Sequence, residues 1–103
     1  MNKTLKLVNN INYQEGSIVS KELICHKKVK IILFAFDKNQ DLSEHVSPFD
    51  AFIYVIEGDA LIQINKKVNK MQKGDMIILP SNHPHSVKAL TCFKMLLVMI
   101  KKS

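Results

Sequence analysis

Three of the four histidines sit where chemistry is conceivable. His83 and His85 bracket Pro84 in GDMIILPSNHPHSV, residues 74–87, directly behind an apolar run, and His45 lies far upstream in DLSEHVSPFD. Imidazole changes charge near neutral pH, so each ring can accept or return a proton. It is also a borderline ligand, suited to zinc, nickel, copper or iron rather than magnesium. Catalytic zinc takes three protein ligands plus water, and iron oxygenases of the facial-triad kind take two His and a carboxylate. Asp50 can supply a carboxylate. A residue before proline is pushed toward extended backbone, so His83 and His85 point the same way if 83–85 are extended, whereas a loop there leaves His83 on the rim.

These residues need a frame to hold them. A chain of 103 residues makes one domain, 1–103, with enough length for a core. Its 47% hydrophobic and 23% charged residues are ordinary for a globular protein. No run approaches the roughly 18–20 apolar residues of a membrane span, and the first residues lack the apolar stretch of a signal peptide. The expectation is a cytoplasmic protein with no membrane partner. Cys25 and Cys92, far apart and in apolar surroundings, are expected to be buried free thiols. The net charge of +6 comes entirely from Lys, with no Arg, the usual reader of guanine edges and phosphates; nucleic acid is therefore not an expected partner.

Short apolar, β-branched runs recur between turn residues, the rhythm of a sandwich or barrel. Strands are predicted over 17–25, 29–36, 42–47, 52–57, 60–64, 68–71, 76–79, 86–90 and 93–100, with 1–16 an N-terminal extension or an edge strand. Residues 76–79 (MIIL) are apolar throughout and are expected to be covered on both faces. Residues 29–36 (VKIILFAF) also want cover on both faces, and a barrel this small covers one, so a second copy is expected to cover the other.

Two segments resemble the paired signatures of the cupin family. The first family pattern is Gly, five residues, His-x-His, three or four residues, Glu, six residues, Gly. With Gly58 as its end, it places His positions at His45 and Ser47, the Glu at Ala51 and the first Gly at Asn39. The second is Gly, five residues, Pro-x-Gly, two residues, His, three residues, Asn. Gly74, Pro80 and His85 match, while Asn82 and Ala89 stand in for Gly and Asn. The resemblance implies an all-β, cupin-like double-stranded β-helix, or jelly-roll barrel, with a pocket between its sheets. It also implies that His45 and His85 meet in that pocket, beside Ser47 and Ala51 where the family keeps ligands.

From an inward His45, alternation turns 51, 53 and 55 inward, so Ser47, Ala51, Ile53 and Val55 are the expected pocket lining. The same alternation turns Tyr54 outward, against an epimerase that needs an inward Tyr acid. It also turns Asp50 outward, unless a bulge near Pro48 re-aims it. The expected activity is binding of a small molecule, a divalent transition metal (Zn, Ni or Fe), or both, at His45 and His85. The alternative is a metal-dependent dioxygenase- or isomerase-like enzyme with a third ligand from His83 or Asp50. Small cupins often pair through outer sheet faces, and a homodimer is expected.

Overall fold

The computed structural model describes residues 4–102. Nine strands run through the described residues: β1 Ile18–Cys25, β2 Val29–Phe36, β3 Asp41–His45, β4 Phe49–Glu57, β5 Ala60–Ile64, β6 Lys67–Met71, β7 Met76–Leu79, β8 His85–Ala89 and β9 Phe93–Lys101. They form a five-stranded sheet, β1-β2-β9-β4-β7, and a four-stranded sheet, β3-β8-β5-β6, with every pairing antiparallel. The only helix among the described residues is a short 3-10 turn, Leu7–Asn9, and no helix is long and apolar enough to cross a membrane.

The strands follow from alternation. Phe36, Ile53, Val55, Phe93 and Met95 of the larger sheet interlock with Ala60, Ile62, Met71, Val87 and Ala89 of the smaller one. Between the strands the chain needs left-handed backbone at six residues: Gly16, Gly58, Gly74, Asn39, Asn65 and Asn82. Asn is the residue other than Gly that most readily enters this region. Gly58 allows no substitute, because a Cβ there would lie 2.0 Å from the Cys92 carbonyl oxygen, on a backbone at φ +83°.

The outer face of the larger sheet departs from expectation. Residues 4–16 form no strand. They cross that face as an extension and bury Ile11 against Leu33, Ala35 and Ile56. Lys94, on the outer side of β9, donates from Nζ to the Val8 carbonyl at 2.6 Å, and its ammonium lies 4.8 Å from the Tyr13 ring centroid. Tyr13 donates to Glu57 at 2.5 Å, and burial, reinforced by that carboxylate, raises the phenol well above its ordinary range. Part of the second face of β2 is thus covered from within the chain.

β7 is corrected. It is an edge strand with Met76 and Ile78 exposed, because nothing among the described residues covers its outer side. Register joins Ile78 to a continuous apolar row across all five strands: Ile24, Ile31, Val98, Phe52, Ile78. The cysteines are corrected too. Both thiols are free, but Cys25 ends edge strand β1 and Cys92 sits in the turn before β9, so both are exposed.

Candidate functional site

His45 and His85 are direct cross-strand partners at one end of the smaller sheet. A bulge makes this possible. Leu42 pairs with Val87 and His45 with His85, so three steps along β3 match two along β8, and Ser43 and Glu44 take up the difference. Leu42 and His45 therefore share the inward face despite their odd spacing. The two rings lie with centroids 4.2 Å apart at an interplanar angle of 67°, edge to face. His85 is buried, while His45 is exposed at the barrel mouth.

Backbone carbonyls orient both rings. His45 Nδ1 lies 2.9 Å from the Ser43 carbonyl and His85 Nδ1 lies 3.3 Å from the His83 carbonyl. A carbonyl only accepts, so each Nδ1 carries the proton, and in the neutral ring Nε2 is the nitrogen that keeps its lone pair. Burial holds the His85 pKa below its ordinary value. The His83 carbonyl opposes that shift, and charge on His45 adds to it. At neutral pH the buried ring is a neutral acceptor.

The other candidates stand apart from this pair. His83 lies in the turn before β8, exposed, with Nδ1 3.2 Å from the Asn65 amide nitrogen. It sits in a bend outside β8, which begins only at His85, so strand alternation does not align the two rings. Asp50 lies in unbroken register opposite Ile100, on the outer side, and its carboxylate accepts from the Ser81 amide at 3.1 Å. No bulge near Pro48 re-aims it. Its task is to tie down the loop that leads to β8. Ser47 is half-buried: its hydroxyl accepts from the Phe49 amide and its carbonyl from the Asn82 amide. Ala51 is half-buried on the inward row, whereas Ile53 and Val55 are sealed in the core at 1% and 0% exposure, below the mouth. Tyr54 faces outward and is exposed. Among the described residues no three His, Cys, Asp or Glu side chains converge where a metal could be held. The donor set is two imidazoles, which does not fit a resident catalytic metal.

Sequence reasoning passed over Lys30. Alternation within VKIILFAF puts it on the inward side with Ile32, Phe34 and Phe36, but a lone Lys in an apolar run reads as a surface residue. A well-formed depression of about 420 Å³ lies on the smaller sheet, lined by Asp41, Glu44, Gln63, Ser86 and Lys88 among others. It does not include the imidazole pair. Its polar lining comes from the solvent side of the sheet, so concavity alone is a poorer guide here than the inward-facing chemistry.

Two antiparallel sheets closed over one core, with an inward imidazole pair at one mouth, define a small double-stranded β-helix protein. The chain belongs to the cupin family: the Cupin domain model matches residues 32–101. A conserved protein of unknown function from Streptococcus pyogenes is similar in structure at TM-score 0.95 and 30% identity, over 100% of this chain and 90% of that one. A cupin 2 conserved barrel domain protein from Leptotrichia buccalis is 37% identical at TM-score 0.90. That alignment covers 94% of this chain and 47% of that one, so the present chain spans about half of it. A cupin superfamily protein from Desulfitobacterium hafniense shares the fold at TM-score 0.94 and 24% identity, over 99% and 94% of the two chains. No curated protein matches the chain.

Proposed function

We propose that this protein binds a small molecule at the barrel mouth between its sheets, with the Nε2 atoms of His45 and His85 as acceptors for the ligand's polar group. One observation carries the reading. Two inward imidazoles, 4.2 Å apart, have their Nδ1 atoms committed to carbonyls and their Nε2 atoms free. A transition metal held by this pair alone binds weakly and exchanges, since the family positions at Ser47 and Ala51 offer no comparable ligand. Turnover at a metal would need His83 or Asp50 as a third ligand, and both are engaged elsewhere.

The test is metal analysis of protein purified without a polyhistidine tag, then titration with zinc, nickel and iron. The expected result is far less than one metal per chain as purified, and weak binding of added metal that disappears in a His45→Ala, His85→Ala variant. One tightly held metal per chain, lost in that variant, overturns the reading in favour of the metal-dependent enzyme.

We also propose that two copies pair through the apolar row from Ile24 to Ile78. The chain carries a net charge of +6, and this row holds no lysine, so a second copy can approach here against the least repulsion.

A further inference from the structure

The wall facing the imidazole pair carries a charge of its own. β2 pairs with β9 without a register shift from Val29 to Phe36. Phe36 lies in the core and Phe34 packs against it, so Lys30, an even number of residues earlier, faces inward as well. It is half-buried, and its ammonium lies 5.9 Å from the ring centroid of Phe49, another inward position, on β4. β2 leads through 37–40 straight into β3, so the Lys30 end of one strand returns opposite the His45 end of the other.

Two rows of inward side chains therefore frame the mouth. Across the larger sheet run Cys25, Lys30, Met99, Ala51 and Leu79. Across the smaller run His45, His85, Ile64 and Lys67. These rows hold two lysines, two imidazoles, one thiol and no carboxylate. Asp50 faces the outer side. The nearest inward carboxylate is Glu22, one row deeper on edge strand β1, where it is exposed.

An ammonium drawn into an apolar cleft loses hydration, and an anion restores what is lost. The same charge repels a divalent cation. Where the family motif has a carboxylate this chain has Ala51, and the row that includes it carries Lys30, so the charge on this wall is positive. The neighbouring walls, Phe49, Met99 and Ile64, are apolar.

We infer that the ligand of this mouth is a small organic acid, its carboxylate on the Lys30 ammonium and its apolar body along Phe49 and Met99. This rests on the ligand-binding reading above. The test uses benzoate and benzamide, matched in shape and differing in charge, followed by NMR through the ring signals of His45 and His85 at pH 7.5. Benzoate is expected to move those signals at least tenfold more tightly than benzamide. Lys30→Met should abolish the difference and Lys30→Arg should keep it. Lys88→Met, on the outer side of the smaller sheet, should leave it unchanged. If benzamide binds as well as benzoate, ligand binding stands and the preference for an acid falls. If Lys30→Met keeps the preference, the lysine only stretches along the wall to solvent, and the inference falls. If neither compound moves the imidazole signals, both the inference and the reading beneath it fall.

Discussion

The two ends of the barrel are built from the same strands and treated in opposite ways. At the closed end Phe36, Phe93, Ala60 and Ala89 are wholly buried. There Gly58 presses so closely on Cys92 that a single carbon has no room, and Leu90 and Thr91 donate to the Asp59 carbonyl. At the open end the same alternation delivers His45, His85 and Lys30 to the inward side, with His45 exposed and Lys30 half-buried. A barrel this small has one core, and it spends the tight packing at one end. The other end can then carry polar groups whose desolvation a filled interior would not tolerate.

This contrast can be broken first at the closed end. Gly58→Ala should cost more than any other single change, about 4 kcal/mol or enough to prevent folding, because it combines a steric clash with left-handed backbone. Urea unfolding measures it, and a loss under about 1 kcal/mol would show that the crossing at Cys92 yields easily. Sharpening the contrast at the open end takes a gentler probe. The His85 pKa is lowered in the folded state, so below the ordinary histidine range, near 6.5, the unfolded chain takes up a proton that the native state resists. The contribution is fully present above that range and is lost as pH falls toward the native value. Between pH 7.5 and 5.5 the wild type should lose more stability than His85→Gln, and equal losses would show that the ring titrates as if exposed.

The outcome at particular residues shows what could be read beforehand. All nine strands were legible, because β-branched runs between Gly, Asn and Pro report backbone geometry directly. The motif register was legible as well, and the structure explains its gaps. Asn39 and Asn82, standing where the family pattern has Gly, both hold left-handed backbone, with φ 69° and 65°. The turn is kept although the glycine is gone. At Ser47 and Ala51 a donor was replaced and no neighbour supplies another, so the fold-forming half of the motif survives while the ligand-forming half does not.

What stayed hidden was what lies across from what. Composition could not reveal that residues 4–16 would cover Leu33 and Ala35, nor that MIIL would keep an open flank, because cover is a property of non-local neighbours. The cysteines looked buried from their apolar flanks, yet strand ends and turns put them outside.

By itself the amino-acid order determined the strand pattern and the turns, since each depends on backbone preferences within a few residues, while the class of barrel came from the resemblance of its two motifs to the cupin family. Only the tertiary structure decided that a bulge at Ser43–Glu44 turns His45 onto His85, that Asp50 braces a loop, and that Lys30 looks into the mouth. Those outcomes depend on register between strands distant in the chain, where a slip of one residue sends a side chain to the opposite face.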